Sequence, residues 1–471
     1  MSTVIHYDIV VIGSGPAGQK AAIQGAKAGK HVAVIEREPG VGGSCVYRGT
    51  IPSKTLRESA LQVDRMKRSS TALDVHVPAN IMVATLMHRV DEVVTAHGDY
   101  MMNQLTRNGI TLFHGRAQFR SNSLIEMQTV DGMKQTLTAD TIVIATGSRP
   151  RAPVEIPIDH EHILDSDSIL SMIYLPRSLT VLGGGIIALE YASIFAALGV
   201  QVTIIDRADR PLQFFDAELV RTFVQSFEQD GGRYYGGGTV RDVRWDEISQ
   251  VVTTLRDGQV FTSDKMLVAL GRQPNLEDLN LSATGLAVTE KGALAVNEHC
   301  QTIIPHIYGV GDLIGPPGLA SSAMEQGRRA VCHALGLPEG HAADIIPVGV
   351  YTIPEMASIG IDEAAARTRY RGVIVGRARF NEIARGQISG IRNGLLKMVA
   401  DPTGQHLLGI QIVGEGATEL IHVGQMALQH AATVDSFVEN IFNFPTLAET
   451  YRVAALDIVG QRQKCLASAA A

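Results

Sequence analysis

One unit occurs twice in this sequence, and few folds can accommodate two copies of it. In the first copy, the apolar run Tyr7–Ile12 leads into Gly13-Ser14-Gly15-Pro16-Ala17-Gly18, a helix-compatible stretch and a second apolar run that ends at Glu36. The same order returns between Thr180 and Asp206, and the two copies align without a gap. Strand, glycine-rich turn, helix, strand and terminal acid form the fingerprint of a dinucleotide-binding βαβ unit. The sequence therefore predicts an α/β protein with two Rossmann-like domains, each with its own dinucleotide site.

The small residues of these units have separate physical tasks. Gly13 allows the tight turn, Gly15 lets the backbone approach a pyrophosphate, and Gly18 lets helix and strand pack closely. The helix N-terminus then presents free N–H groups and a positive dipole end to phosphate. Glu36 is predicted to accept a hydrogen bond from a ribose 2′-hydroxyl. The corresponding residues of the second copy are Gly183, Gly185, Ala188 and Asp206.

Composition limits the classes of partner. With 471 residues, of which 45% are hydrophobic, the chain is long enough for about three packed domains. Charged residues make up 19% and the net charge is −7, without a lysine/arginine block, so neither nucleic acid nor a membrane surface is an expected partner. The four cysteines show neither metal-ligand spacing nor a secreted disulfide framework, so no metal site is predicted. Without a signal-peptide pattern or a long apolar run, the expected location is the cytoplasm.

The segment Gly42-Gly43-Ser44-Cys45-Val46-Tyr47-Arg48-Gly49-Thr50-Ile51-Pro52-Ser53-Lys54 closely resembles the active-site segment of the pyridine nucleotide–disulfide oxidoreductases, a family of flavoproteins. The family pattern is Gly-Gly-x-Cys, four residues, a second cysteine and Ile-Pro-Ser-Lys. Here Thr50 stands where the second cysteine belongs. Because a disulfide needs two sulfurs close together, this site is predicted not to cycle between dithiol and disulfide.

The resemblance covers nearly the whole chain and implies its domain order. It assigns FAD to the first unit and a nicotinamide nucleotide to the second, with a second flavin portion after the nicotinamide domain and a C-terminal α+β dimerisation domain. The implied ranges are 1–152, 153–275, 276–345 and 346–471. The implied partners are small-molecule nucleotides and a second copy of the chain, in a homodimer or a higher homo-oligomer. Besides the residues of the two fingerprints, the predicted cofactor-binding residues are Gly43, Ser44, Gly115, Thr146, Gly147, Arg207, Arg210, Gly271, Asp312 and Ala320.

The departures from the family pattern are selective. Phe444 replaces the histidine that serves thiol chemistry as acid and base, and phenylalanine cannot carry a proton. Lys54 and Glu190 remain, and in the family residues at these positions form an ion pair beside the reactive edge of the flavin. Cys45 is either a thiol that tunes the flavin or a small buried remnant of the scaffold. The predicted catalytic residues are accordingly Lys54, Glu190 and Cys45.

Three residues at the end of the second unit bear on nucleotide choice. Asp206 suits the 2′-hydroxyl of NAD(H), whereas Arg207 and Arg210 could pair with the 2′-phosphate of NADP(H). An acid and two bases at one edge predict a site that accepts both nucleotides. The alternative is that both arginines are solvated surface charges.

The combination of kept and lost groups predicts an oxidoreductase that exchanges hydride between NADPH and NAD⁺ through FAD, with the two nucleotides taking turns. Three alternatives stay open. The chain could pass electrons from NAD(P)H to quinones or dyes, reduce disulfides with Cys332 or Cys465 as a distant partner, or bind flavin without catalysis.

Overall fold

Three large sheets organise the chain in the computed structural model, which describes residues 4–73, 82–340, 345–391 and 393–470. Two of them contain the repeated units and the third lies in the C-terminal segment, so the predicted α/β class with two Rossmann-like domains is confirmed. Within the described ranges, no helix is both long and apolar enough to cross a bilayer.

The helices and strands follow one another in three runs. Residues 4–150 form β1 (Val4–Ile12), α1 (Pro16–Lys27), β2 (Val32–Glu36), α2 (Gly43–Tyr47), α3 (Thr50–Leu73), α4 (Val83–Arg107), β3 (Thr111–Ser121), β4 (Leu124–Thr129), β5 (Lys134–Ile144) and β6 (Ser148–Pro150). Residues 163–274 form β7 (Ile163–Asp165), β8 (Ser178–Leu182), α5 (Ile186–Leu198), β9 (Gln201–Ile205), α6 (Ala217–Gln229), β10 (Arg233–Tyr235), β11 (Val240–Trp245), β12 (Val251–Leu255), β13 (Val260–Ser263), β14 (Lys265–Val268) and β15 (Arg272–Pro274). Residues 307–470 form β16 (Ile307–Gly309), α7 (Ala320–Ala334), β17 (Val348–Val350), β18 (Met356–Gly360), α8 (Glu363–Arg369), β19 (Ile374–Arg379), α9 (Ala384–Ile388), β20 (Leu395–Ala400), β21 (Leu407–Val413), α10 (Ala417–Gln429), α11 (Val434–Glu439) and α12 (Glu449–Ala470).

The first sheet is centred on β1, which runs parallel to both of its neighbours, β2 and β5. Val10 lies opposite Ala33 on one side and Ile142 on the other, and all three are fully buried. Strand β16 pairs with β5 although it comes much later in the chain. The first sheet is therefore assembled from two separate stretches, as the discontinuous flavin domain implied by the family resemblance requires.

The second sheet has the order β10-β9-β8-β14-β7, with all neighbours parallel. Helix α5, which opens at its glycine-rich turn, has eleven of its thirteen residues buried. A helix that is buried on nearly all sides needs cover all round, and α3 of the first unit packs against it. Because α3 carries Lys54 and α5 carries Glu190, this packing brings the two units together at one point.

The third sheet is antiparallel, with the order β17-β18-β21-β20-β19. Helices α10 and α12 cover it, and their core includes the fully buried Phe380 and Tyr451. The domain boundaries at 152, 275 and 345 remain proposals. The last lies beside residues 341–344, which are outside the described residues.

Five charged residues join the second nucleotide unit to the C-terminal segment. Lys397 is only 3% exposed, and its Nζ lies 2.7 Å from Asp216, 2.7 Å from Glu363 and 3.1 Å from Glu218. Arg377 adds contacts of 2.9 Å to Glu218 and 3.0 Å to Glu363. We call these five residues the interdomain charge cluster. A buried ammonium surrounded by carboxylates meets the requirement that buried charges be paired.

Candidate active site

The two nucleotide units and the C-terminal segment enclose a cavity of about 1340 Å³. It begins at the carboxyl end of β1, where the glycine-rich turn leads into α1, and it reaches the start of α5. Open α/β sheets bind their ligands at such strand ends. The predicted residues that line it are Gly13, Gly15, Glu36, Gly43, Ser44, Cys45, Lys54, Gly115, Thr146, Gly147, Gly185, Glu190, Gly271, Asp312 and Ala320.

The first glycine-rich turn leaves room for a pyrophosphate. Gly13 has φ +103°, and a Cβ there would lie 2.4 Å from the Ala145 carbonyl oxygen, so only glycine fits. A Cβ on Gly18 would lie 1.9 Å from the Gly13 carbonyl oxygen, which places Gly18 in helix–turn packing rather than in the cavity. A Cβ on Gly15 would meet nothing within 4 Å, so the space beside this backbone is open. The turn therefore fits a dinucleotide whose phosphates approach the N-terminus of α1.

The second turn repeats this arrangement. Gly183 has φ +108°, and a Cβ there would lie 2.6 Å from the Ala269 carbonyl oxygen. Gly185 lines the cavity and has open space beside it, whereas Ala188 is fully buried in α5. Gly183 and Ala188 thus pack against the protein interior and not the cavity, and Gly185 is the residue of this motif that faces the open space.

Glu36 is 5% exposed and ties the first turn together. Its Oε2 accepts from the Ser14 N–H at 2.9 Å and from the Ser14 hydroxyl at 2.6 Å, and Ser14 Oγ accepts from the Gly42 N–H. The Glu38 N–H donates to Oε1 at 2.9 Å. A carboxylate oxygen has two lone pairs, so these bonds leave acceptor capacity for a ribose hydroxyl. The ribose role of Glu36 stays a prediction.

Asp312 is held by two residues that the sequence did not single out. The Ser148 hydroxyl donates to Asp312 at 2.8 Å, and Arg272 Nε donates to Ser148 Oγ at 2.8 Å. The Thr146 hydroxyl donates to the Asn275 carbonyl oxygen at 2.7 Å, which joins the same two stretches. Beside the cavity, the bonds from Arg272 and to Asn275 link the end of the first flavin portion to the end of the nicotinamide portion, and the Ser148–Asp312 bond joins the two flavin portions.

Cys45 lies in the short helix α2, and its thiol is hydrogen-bonded to Thr50. Burial raises the pKa of the Cys45 thiol above its usual value, although the Thr50 hydrogen bond and the Lys54 charge act in the opposite direction. The neutral thiol is therefore favoured, and a neutral thiol is a poor nucleophile. None of the four cysteines is part of a disulfide, and neither Cys332 nor Cys465 lines the cavity that contains Cys45.

Lys54 and Glu190 meet, as the family resemblance predicts. Lys54 Nζ lies 2.7 Å from Glu190 Oε2, and the Glu190 side chain is only 6% exposed. The backbone N–H of Tyr351, in the loop after β17, donates to Glu190 Oε1 at 2.9 Å. Lys54 Nζ also lies 5.0 Å from the centroid of the Tyr351 ring, within the range of a cation–π contact. Sequence reasoning did not assign Tyr351 to the site, since its partners Lys54 and Glu190 are far away in the chain.

The edge that follows β9 lies outside the cavity lining. Asp206 Oδ1 accepts from the Arg207 N–H at 2.8 Å. The Tyr234 hydroxyl donates to the Ala208 carbonyl oxygen at 2.8 Å and, more weakly, to Asp206 Oδ2 at 3.3 Å. The Arg210 guanidinium donates to carbonyl oxygens of its own loop, at Phe215 and Gln213, while Arg207 is exposed. The predicted nucleotide-choice residues are thus adjacent, but Arg210 is already engaged in holding the loop.

Phe444, which stands where the family has its histidine, is 74% exposed and does not line the cavity of its own chain. The nearby Glu449 accepts from the Thr446 N–H at 3.2 Å.

Two family descriptions match the chain. Residues 7–327 match "Pyridine nucleotide-disulphide oxidoreductase", and residues 346–455 match "Pyridine nucleotide-disulphide oxidoreductase, dimerisation domain". Similar curated proteins include the soluble pyridine nucleotide transhydrogenase of Mycobacterium tuberculosis, which is 41% identical over 97% of this chain and 98% of that protein. Those of a Marinomonas species and of Vibrio parahaemolyticus are each 39% identical over 97% of this chain and cover 98% and 99% of the relative.

Two solved structures have the same fold over nearly the whole chain. LpdA from Mycobacterium tuberculosis is 27% identical, with a TM-score of 0.88 over 96% of this chain and 99% of that one. The HOCl-induced flavoprotein disulfide reductase RclA from Escherichia coli is 26% identical, with a TM-score of 0.86 over the same shares.

Proposed function

The chain belongs to the pyridine nucleotide-disulphide oxidoreductase family, and from that premise we propose that it is a soluble pyridine nucleotide transhydrogenase. The reaction is NADPH + NAD⁺ ⇌ NADP⁺ + NADH. Its cofactors are FAD and the nicotinamide nucleotides, as in the family. The location in the cytoplasm and the assembly as a homodimer are part of the proposal. They are supported by the word "soluble" in the relatives' names and by the dimerisation domain.

One observation carries the proposal: the residues for nucleotides are present, while two groups needed for disulfide exchange are absent. Thr50 occupies the place of a second sulfur and hydrogen-bonds the remaining thiol. Phe444 occupies the place of the base. Electrons that enter from a nicotinamide nucleotide therefore have no sulfur relay in the cavity, and a second nicotinamide nucleotide is the outlet that the chain's own residues support.

FAD, when bound, supplies the group that accepts a hydride and returns it. The protein's contribution is orientation and electrostatics. Lys54 places a positive charge at the cavity wall, where it stabilises negative charge that develops during transfer. Glu190 and the Tyr351 N–H hold that charge in place, because the Glu190 carboxylate is bonded on one side to Lys54 and on the other to the backbone. Cys45 stays a neutral thiol and takes no covalent part.

The chain has one nicotinamide fingerprint, so donor and acceptor must occupy the same site in turn. NADPH is bound and leaves as NADP⁺ before NAD⁺ enters, which is a ping-pong sequence. The matching enzyme class is the Si-specific NAD(P)⁺ transhydrogenase. The face of transfer is a proposal that NADPH deuterated on one face of C4 would measure.

The test separates the two half-reactions under anaerobic conditions. The FAD-loaded protein is bleached with NADPH, freed of nucleotide and mixed with NAD⁺. We expect the absorbance of oxidised flavin to return as NADH appears, in wild type and in Cys45→Ser alike. Retention of the bleached state after NAD⁺ is added, with rapid return on adding a quinone or dye, would instead identify a quinone or dye reductase. Turnover of lipoamide or glutathione disulfide would identify a disulfide reductase. If NADPH failed to bleach the flavin, the chain would be a non-catalytic flavin-binding protein.

A further inference from the structure

Outside the cavity, three side chains with metal-binding atoms meet at the C-terminal end of α7. They are His299, in the turn before β16, His333, in the last turn of α7, and Glu339, in the segment that follows. One ligand atom of each lies within 4.8 Å of the other two. We propose that His299, His333 and Glu339 form a binding site for a divalent transition-metal ion such as Zn²⁺, Ni²⁺ or Cu²⁺.

The contacts show how little the side chains must move. His299 Nδ1 lies 2.8 Å from Glu339 Oε1, and the two imidazole rings stack with centroids 4.2 Å apart and planes at 16°. Metal–ligand bonds of about 2.0–2.1 Å place the ligand atoms of a tetrahedral zinc site about 3.3 Å apart. Because the rings are nearly parallel, one imidazole must turn about its Cβ–Cγ bond before both nitrogen lone pairs face the same ion.

Two further residues hold the ligands from behind. Tyr308 Oη lies 2.8 Å from His333 Nδ1, which leaves His333 Nε2 for the ion. Metal-binding histidines generally use their second ring nitrogen in this way, and the outer hydrogen bond fixes the ring. Arg329 Nη2 lies 3.1 Å from Glu339 Oε2, which leaves Oε1 for the ion. The cluster therefore resembles a ligand set with its supporting hydrogen bonds already formed.

The charges decide which ions fit. Glu339 contributes one carboxylate to the set, and Arg329 Nη2 lies beside its Oε2. The positive charge of Arg329 offsets that single negative charge. Affinity must then come from the imidazole nitrogens, which suit zinc, copper and nickel, rather than from oxygen ligands of the kind that calcium and magnesium need. The carbonyl end of α7, with its partial negative charge, adds a favourable field.

The site joins the end of α7 to the turn before β16, and none of its three residues lines the cavity. A bound ion would thus act on the stability of this part of the first sheet and not on the nucleotide reaction. No sequence pattern predicts this site, because ligands at 299, 333 and 339 do not have the short spacing by which metal sites are recognised.

Isothermal titration of the full-length, FAD-loaded protein with ZnCl₂, after treatment with a chelator, tests the proposal. We expect one ion per chain and a melting temperature that rises with Zn²⁺. Tyr308→Phe should weaken binding about tenfold, the effect of losing an outer hydrogen bond, and His333→Ala or Glu339→Gln by more. His306→Ala is the matched control, since His306 is a partly exposed histidine of the same segment that bonds the Asn122 carbonyl oxygen instead.

The proposal is overturned if the wild type binds no Zn²⁺, or if His333→Ala and Glu339→Gln bind it as tightly as the wild type and His306→Ala do. Bound FAD and circular dichroism show whether each variant is folded. His299→Gln, which keeps a polar side chain of similar length, replaces any variant that is not folded. Calcium chloride in the same titration should give no heat.

Discussion

At the scale of single residues, the Lys54–Glu190 pair shows that a buried carboxylate is stabilised by a hydrogen-bond donor as well as by its cation. Glu190 is almost fully buried, and a buried carboxylate that loses its cation costs about 3–5 kcal/mol. Tyr351 lowers the cost of burying this carboxylate, because its backbone N–H donates to the oxygen that Lys54 does not contact. The pair could be predicted from motif positions alone. Tyr351 could not, since a backbone donor in another domain leaves no trace in the sequence.

Tyr234 is expected to influence nucleotide choice, although it has no motif of its own. Its hydroxyl holds the loop after Asp206 through the Ala208 carbonyl oxygen and also reaches the Asp206 carboxylate. In Tyr234→Phe, Asp206 loses this donor, so its negative charge is less compensated and the 2′-phosphate is repelled more strongly. We expect the ratio of kcat/KM for NADPH to that for NADH to fall several-fold, by about 1 kcal/mol for one hydrogen bond.

Tyr235→Phe is the matched control for that change. Tyr235 is the next residue of the same strand, and its hydroxyl contacts Asp257 instead. Its substitution should leave the ratio unchanged. An equal change in both variants, or an unchanged ratio in Tyr234→Phe, would contradict the assignment. Steady-state rates with each reduced nucleotide and one common acceptor provide the measurement.

At the scale of elements, the predictable parts are those with a strong period or a motif. The apolar runs before each glycine-rich turn became the buried strands β1 and β8, and Lys54 and Glu190 fell on the helices that follow the motifs. The antiparallel sheet β11-β12-β13 was not predicted. Charged residues such as Arg241 and Arg244 interrupt its apolar signal, and in β12 the buried positions alternate with partly exposed ones. Short half-buried strands of this kind are weakly marked in a sequence.

The interdomain charge cluster, which joins α6 to β19 and β20, should make stability depend on pH in a defined window. Burial raises the pKa of Glu363, but hydrogen bonds from Lys397 and Arg367 outweigh it and lower the pKa to about 2. A lowered carboxyl pKa adds stability above the unfolded value of about 4.3, and this stability is lost as the pH falls towards 2. The pKa of Lys397 is raised, so its contribution to stability is fully present below its unfolded pKa of about 10.4 and is lost only as the pH rises above that value.

In Glu363→Gln, stability should therefore fall less steeply as the pH decreases from 4 towards 2 than it does in the wild type. We expect a loss of about 1–2 kcal/mol of unfolding free energy at neutral pH, with a difference from wild type that shrinks between pH 4 and pH 2. Melting temperature against pH measures it. Glu290→Gln, an exposed acid in the loop between β15 and β16, is the control. A difference that stays constant down to pH 2 would show that Glu363 acts through packing and not through its charge.

At the scale of the whole molecule, the C-terminal domain presents apolar side chains that its own chain leaves uncovered. Ile441 is 91% exposed and Phe444 is 74% exposed, both between α11 and α12. Met426 on α10 is 54% exposed. Exposed apolar residues in the dimerisation domain are the surface that a second copy would cover.

Ile441→Asp should weaken self-association. Burying an isoleucine contributes about 1.5–3 kcal/mol, so the dissociation constant of the dimer is expected to rise at least about tenfold. Sedimentation velocity over a dilution series measures it. Val260→Asp is the control, because Val260 is another exposed β-branched apolar residue, 59% exposed, but lies on β13 in the nicotinamide portion. A dimer as tight as wild type in Ile441→Asp would place the contact surface elsewhere.

The bond from Tyr351 to Glu190 has a consequence for anyone who recombines these domains. The donor is a main-chain N–H, so a chimaera that takes its C-terminal part from a distant relative keeps the bond whatever side chain it brings to position 351, provided that the loop keeps its path. Proline is the one exception, because it has no N–H to give. Chimaeras that replace the C-terminal part should accordingly be chosen first by the length of the loop around residue 351 and by the absence of proline there, and only then by sequence identity.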